Sequence, residues 1–519
     1  MSNNPSVRIN LAVMQPLGYV HSLVFLDVVR YFRHQFRRLG VQATVSKNRL
    51  REDALNLVFG AHLGFPQAWQ QRNPCVFVNL EQLGADGARI KPDYLDLLRH
   101  SAVLDYDAAN RAAYAQDEAA VPLISLGYGA YLDWQNVLPL AQRPIDLLFI
   151  GSVNARRQLF IDAVEATGTS VTLFDSALYG PERDAYVMQA KAVLNCHYYE
   201  SNRFEQVRAF HFLSLGTPVI SERTAKTRPS AAFEDSVIWL PEREPASYFA
   251  QTFKQPAFYD QAQRCLTAFR RPDAAHDPLE NYAELLDYAQ RSWQQQRQSQ
   301  PQAVWRPRAI HIGSGKDYRP DWLNLDILKR AQPDLVLDLA QPQNFPLEMA
   351  TCMGGRVRLE ANDVDIIYAN NVLEHVPDLP TLMGNALTLL RPGGEFHIEV
   401  PYEKAPSAWQ DPTHVRALNE NSWLYYTDWF WYLGWFDYRF EVADSNWLDA
   451  ALKPCAQTQA AFMKVVLRKI ATTPHERNTA RTMRADFGGL DDDASTPLQN
   501  IPRPEPGQTQ STATEKGTV

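Results

Sequence analysis

Residues 310–327 read IHIGSGKDYRPDWLNLDI. A short apolar run, Ala309–Ile312, ends in Gly-Ser-Gly, and a second apolar run closes on Asp326. This is the wiring of a doubly wound α/β nucleotide site. The first strand stops at a turn where a ligand can touch the backbone, and the second delivers a carboxylate to ribose hydroxyls. Gly313 and Gly315 matter there because a Cβ would block close approach or the turn dihedrals.

The same geometry serves NAD and S-adenosylmethionine, and the loop chooses between them. A dinucleotide site wants a third glycine leading into a helix that meets the pyrophosphate. Lys316-Asp317-Tyr318-Arg319-Pro320 has no glycine and little helix start. Further on, Val364-Asp365-Ile366-Ile367-Tyr368 reads as a buried strand, followed by Asn370-Asn371-Val372-Leu373-Glu374-His375-Val376. The stretch 389–400, LLRPGGEFHIEV, reads as helix end, tight turn and strand.

With these motifs in this order, residues 305–470 resemble a class I S-adenosylmethionine-dependent methyltransferase of the small-molecule branch. The resemblance implies that Gly313, Ser314 and Gly315 lie against the methionine part of the cofactor and that Asp326 accepts from the ribose diol. It also implies that Asp338 and Leu339 border the adenine and that Asn370 and Asn371 face the sulfonium. His311 departs from the pattern, standing where many relatives place an acid.

Methyl transfer asks the protein to align an acceptor and remove its proton. The run Asp411-Pro412-Thr413-His414-Val415-Arg416 resembles a segment of related methyltransferases, and His414, with Asp411, is the first choice for catalysis. The other reading is that both residues cap and orient the loop. His375 reads as structural. The aromatic tract 423–438, WLYYTDWFWYLGWFDY, is too short to span a bilayer and carries two aspartates. It reads first as a packing element or interface and second as an acceptor lid. A membrane-surface contact lacks a basic face.

Composition sets the outer limits. A chain of 519 residues holds two or three domains, and 45% apolar with 21% charged residues is ordinary for soluble protein. A net charge of -8 argues against a nucleic-acid groove over the whole molecule. Five dispersed cysteines without C-x-x-C suggest neither a zinc ribbon nor a disulfide framework. No secretion leader or membrane span is legible, so the expected location is cytoplasmic, with peripheral membrane association left open.

Residues 7–270 alternate strand-like runs with helical patterns, as parallel sheets covered by helices do. The run 145–151, IDLLFIG, reads as a fresh first strand, dividing a lobe at 7–143 from one at 144–290. Residues 278–297 read as a helix decaying into a Gln-rich connection, with the linker set at 291–304, and 471–519 read as a disordered tail. In the second lobe, 194–200 (LNCHYYE), 204–210 (FEQVRAF) and 215–222 (LGTPVISE) form a strand–helix–strand pattern. It resembles the donor half of group 1 glycosyltransferases of the GT-B fold. The resemblance implies a helix N-terminus facing a nucleotide diphosphate, opposite a wall of Gly151, Ser152, Arg156 and Arg157. The paired glutamates of that family are replaced by Arg203 and His211. Glu205 and Arg208 either do related work or form a helix-surface ion pair. No metal site is expected.

The fold class is therefore α/β: two Rossmann-like lobes, then a Rossmann-like methyltransferase domain. The expected function is a bifunctional glycan-biosynthesis enzyme. It would take S-adenosylmethionine and a nucleotide sugar and act on a sugar or glycan acceptor, with Gly151, Arg157, Glu205 and Arg208 on the sugar-nucleotide side. The alternatives are a methyltransferase whose front half only binds, and a scaffold in a glycan assembly complex.

Overall fold

A computed structural model describes residues 8–16, 18–134, 137–174, 176–271, 277–299 and 304–483. The chain divides into two compact units, Met1–Leu337 with Pro346–Leu359, and Asp338–Phe345 with Glu360–Val519. The division falls inside 305–470 and not at 291–304.

The first unit opens with a five-stranded parallel sheet: β1 (Ile9–Val13), β2 (Ala43–Lys47), β3 (Leu55–Phe59), β4 (Cys75–Asn79) and β5 (Ala102–Asp105), in the order β2-β1-β3-β4-β5. Strands β1, β3 and β4 are buried at every position, which explains their continuous apolar runs. A second parallel sheet comprises β6 (Ile145–Phe149), β7 (Val171–Thr172), β8 (Ala190–Asn195), β9 (Val219–Ser221) and β10 (Ile238–Trp239), ordered β10-β9-β8-β6-β7. The helix Phe25–Arg38 carries Tyr31, Phe32 and Phe36 into a core shared with Phe210 of the helix Gln206–Ser214 and Tyr282 of the helix Leu279–Ser299. Tyr31 meets Phe210 edge-on at 5.1 Å and Tyr282 at 5.8 Å. Side chains buried this fully contribute roughly 1.5–3 kcal/mol each relative to exposure.

The helix expected over 278–297 is present as Leu279–Ser299, so it occupies much of the stretch 291–304 assigned to a linker. It runs through 291–299, and its Gln296 amide pairs with both the N–H and the carbonyl of Cys75 at 3.0 Å. Glutamine is a good helix former, so the helix carries on through the Gln-rich residues to Ser299. Residues 300–303 lie outside the described residues.

Also in the first unit, β11 (Ala309–Ile312), β12 (Leu323–Asp326) and β13 (Leu335–Val336) are parallel in the order β13-β12-β11. A separate antiparallel pair joins β14 (Leu347–Ala350) to β15 (Arg356–Leu359).

In the second unit, β16 (Val364–Asn370), β17 (Leu390–Pro401), β18 (Tyr438–Leu448) and β19 (Phe462–Ala471) run in the order β16-β17-β19-β18. The first pair is parallel and the other two are antiparallel. The register slips between Val364 and Ile366, so Arg391–Gly394 bulge out of β17. Gly393 sits at φ +78, and a Cβ on Gly394 would lie 2.9–3.1 Å from three carbonyl oxygens. Lys469, 2% exposed, donates to the carbonyls of Leu387 and Leu390 at the end of the helix Leu379–Leu389. The helix Pro474–Met483 corrects the start of the expected tail, and 484–519 lies outside the described residues. Among the described residues, no helix is long and apolar enough to cross a membrane.

Candidate functional site

Beyond β6 the chain turns at Gly151, whose φ of +145 is natural to glycine. A Cβ there would stand 2.7 Å from Arg208 Nη1 and 3.2 Å from Arg157 Nη1. The missing side chain is what lets two guanidiniums close on the turn. Arg157 donates to the carbonyls of Cys196 (2.9 Å) and Ser152 (2.8 Å) and to Glu205 (2.6 Å). Arg208 donates to the Ile150 carbonyl at 2.7 Å and pairs with the same glutamate. Burial, opposed in part by nearby Cys196 and Tyr198, lowers the Arg157 pKa. Burial, then the charge of Arg157, pulls Arg208 down to about 9. Two guanidiniums share one carboxylate, so the group carries a net positive charge.

This turn forms part of a cleft of about 780 Å³. Gly151, Arg157, Glu205 and Arg208 all line it, and His62 and Glu81 (3.3 Å apart) line it from the first sheet. Glu205 is the residue just before the helix Gln206–Ser214, so the N-terminus of that helix opens here. Arg156 is turned elsewhere, onto Glu222 at 2.9 and 3.0 Å. The two positions that the resemblance gives to a glutamate pair hold a structural arginine and a structural histidine. Arg203 donates to the Leu83 carbonyl, and His211 is buried against Asp184 at 2.9 Å. Arg183, which also lines the cleft, bridges Asp184 to Asp27. Nothing in the pattern of its helix singled out Arg183.

The second glycine turn follows β11. Gly313 and Gly315 have φ of +64 and +49. Asp326, ending β12, accepts from the Gly315 N–H at 2.9 Å and, through its other oxygen, from the Leu328 N–H at 2.8 Å. Each oxygen keeps a lone pair for a further donor. The Ser314 hydroxyl is buried without a protein partner. No helix stands between β11 and β12. Instead Asn324 holds the loop, accepting from the Arg319 N–H and donating to the Arg319 and Trp322 carbonyls. Burial, then the charge of Arg319, pushes His311 down to about 4, so a neutral imidazole stands two residues before Gly313.

In the second unit, Asp338 accepts from the Ala340 N–H at 2.8 Å, and the Leu339 carbonyl accepts from Asn385. Asn370 ends β16 with its side-chain oxygen buried and unpartnered, and Asn371 follows in the left-handed region at φ +51. Asp411 accepts from the N–H and hydroxyl of Thr413 at 2.8 and 2.6 Å, which are turn-forming contacts and lower its pKa. His414 Nδ1 meets the Ala408 carbonyl at 2.9 Å, and its ring lies 4.7 Å from that of His375. Glu374, absent from the sequence-derived candidates, is 2% exposed, and burial raises its pKa.

The aromatic tract splits by exposure. Trp423, Tyr426 and Phe430 are buried, while Tyr425, Trp429 and Tyr432 are exposed and share ring contacts.

The structure of AviGT4, a glycosyltransferase involved in avilamycin A biosynthesis, is similar at 13% identity over 56% of this chain and 98% of that one, with a TM-score of 0.37. An S-adenosylmethionine-dependent methyltransferase from Mesorhizobium loti is similar at 15% identity over 34% and 96%, with a TM-score of 0.22. Among curated proteins, the uncharacterized protein L140 of Acanthamoeba polyphaga mimivirus is 24% identical over 162 residues, covering 28% of this chain and 48% of L140. L137 of the same virus is 31% identical over 78 residues, 15% of this chain and 11% of L137. The chain thus spans less than half the length of either relative. A family model described as "Methyltransferase domain" matches residues 258–438. The chain carries a methyltransferase domain.

Proposed function

We propose that the chain is a bifunctional glycan-biosynthesis enzyme. Its methyltransferase domain would use S-adenosylmethionine, and its first two sheets would transfer a sugar from a nucleotide donor. The single observation that carries the methyltransferase reading is the turn at Gly313–Gly315 closed on Asp326, in a chain whose residues 258–438 match the methyltransferase family. The residues fit the cofactor. Asp326 has lone pairs for a ribose diol, and the Ser314 hydroxyl lacks a protein partner. Asp338, Leu339, Asn370 and Asn371 are assigned to the same ligand on the resemblance.

When bound, S-adenosylmethionine supplies a methyl group already activated on a sulfonium. The protein's part is to align an acceptor hydroxyl and accept its proton. His414 suits that step, because the Ala408 carbonyl holds the proton on Nδ1 and leaves the Nε2 lone pair available.

The sugar-transfer reading rests on the cleft at Gly151. Its two arginines and the opening of a helix are the chemistry that receives a diphosphate. A DxD-type metal is not part of this reading.

The test is calorimetry on the full chain with S-adenosylhomocysteine and, separately, with UDP, GDP and CMP. Binding of the adenosyl ligand that Asp326→Ala removes supports the methyltransferase assignment, and no binding by folded protein overturns it. Selective binding of one nucleotide that Arg208→Ala removes supports the transferase assignment. Silence toward all three nucleotides overturns it.

A further inference from the structure

We propose that Glu374, His375 and His414 form a binding site for one divalent transition-metal ion. All three belong to the second unit. Glu374 and His375 sit in the turn Leu373–His375 that follows β16, and His414 lies in the loop after Ser407–Gln410. One nitrogen of each imidazole and one oxygen of the carboxylate lie within 4.8 Å of one another.

Three further observations converge on a cation. First, the loop is fixed against the turn, because the Val415 N–H donates to the Glu374 carbonyl at 2.9 Å. The three groups are therefore held together by backbone.

Second, both imidazoles are oriented in the way metal ligands are. His414 Nδ1 meets the Ala408 carbonyl at 2.9 Å. His375 Nδ1 meets the Thr413 hydroxyl at 3.0 Å and the Thr413 carbonyl at 3.3 Å. The Thr413 hydroxyl gives its own proton to Asp411 (2.6 Å), so toward His375 it accepts. Each ring thus carries its proton on Nδ1 and keeps Nε2 as a lone pair. Donation from the non-ligating nitrogen to a carbonyl is the usual support of a metal-bound histidine.

Third, Glu374 is 2% exposed and neither carboxylate oxygen has a hydrogen-bond partner. A buried carboxylate left this way is costly unless a cation compensates it. Arg416, in the same loop, donates instead to the Pro377 carbonyl at 2.6 Å.

Two imidazoles and one carboxylate favour zinc, cobalt, iron or manganese over magnesium and calcium, which prefer all-oxygen shells. Three protein ligands leave room for a water or a substrate oxygen. The link to catalysis rests on the methyltransferase reading. A hydroxyl on such an ion would give up its proton to solvent water near neutral pH, and His414 would then hold the ion in place of accepting the proton.

The experiment uses the full chain, untagged and stripped with a chelator, titrated with Co²⁺ and Zn²⁺. One ion per chain is expected, with visible Co²⁺ absorption. Proton NMR of the cobalt protein should show two exchangeable, paramagnetically shifted resonances, one for each Nδ1–H. Glu374→Gln and His414→Gln should each weaken binding at least ~100-fold, and Asp411→Asn, which loosens only the Thr413 brace, about 10-fold. Absence of stoichiometric binding, binding unchanged in both ligand variants, or absence of the shifted resonances overturns the site. If either variant fails to fold, the wild-type NMR decides. S-adenosylhomocysteine is titrated into the same metal-free protein. Its failure to bind would overturn the methyltransferase reading and leave the metal assignment standing.

Discussion

Two strands of the first unit end in glycine turns, and opposite charges close on them. At Gly151 the groups that reach the turn are guanidiniums, with Arg157 and Arg208 sharing Glu205. At Gly315 the group that reaches the turn is the Asp326 carboxylate, bonded to the glycine's own N–H. The backbone chemistry is the same, since glycine admits positive φ and close approach in both. The side chains decide the ligand. An arginine pair matches an anionic diphosphate, whereas a carboxylate matches hydroxyl donors beside a cationic sulfonium.

The contrast is broken most severely at Arg157. Its guanidinium is buried, and Arg157→Met would strand Glu205 with one partner. Loss of about 3–5 kcal/mol is expected for a broken buried pair, read as a shifted denaturant midpoint. A loss below about 1 kcal/mol would show that Arg208 alone satisfies the glutamate.

Asp326→Ala should lower S-adenosylhomocysteine affinity by about 100-fold, the scale of lost hydrogen bonds to a charged group. Nucleotide binding to the same chain should be unchanged. An equal loss of both would mean that the variant disturbs the fold and does not separate the turns.

Acid should affect both turns alike. Burial holds His197, near Arg156 and Arg157, at about 4, and His311, before Gly313, also at about 4. The folded state therefore binds fewer protons than the unfolded state between about pH 4 and 6.5. Stability falls as pH drops through that window, by about 2.5 kcal/mol per histidine at pH 4.5. Unfolding midpoints of wild type and His197→Gln across the window check this, and parallel curves would reject it for His197.

The smallest effect makes the sharpest comparison. Gly315→Ala faces only the Gly313 carbonyl at 3.9 Å and should cost about 1 kcal/mol for its left-handed backbone. Gly151→Ala removes no charge but places a methyl 2.7 Å from Arg208 Nη1. It should weaken nucleotide binding by about 10-fold. Equal, ligand-independent losses at the two glycines would mean that turn strain matters and guanidinium placement does not.

Much of this was legible because buried parallel strands announce themselves. Leu55–Phe59 and Cys75–Asn79 are apolar throughout and bounded by polar residues. Strand β2, ATVSK, was not legible, because it lies at a sheet edge with one buried residue in five. Strand β5, only four residues long, was missed for its brevity. At the site, the glycines and Asp326 could be named because motif spacing reflects backbone geometry. Glu374 could not, since its burial depends on a loop about forty residues later in the chain. Arg156 shows the converse. Its position beside Gly151 suggested a ligand contact, yet its planar fork is satisfied by Glu222.

The Gln296–Cys75 pairing bears on how the protein is made. The start of β4 gains its last two hydrogen bonds from a residue translated 221 positions later. Contacts that distant in sequence form late and slow the search for the native state. On the ribosome, the first sheet must wait, incompletely covered, while the whole second sheet emerges, and only then can Tyr282, Leu285 and Gln296 seal it. A ribosome stalled before residue 299 has left the exit tunnel would hold a chain that is open to proteases and chaperones at β4, and one stalled well beyond that point would not.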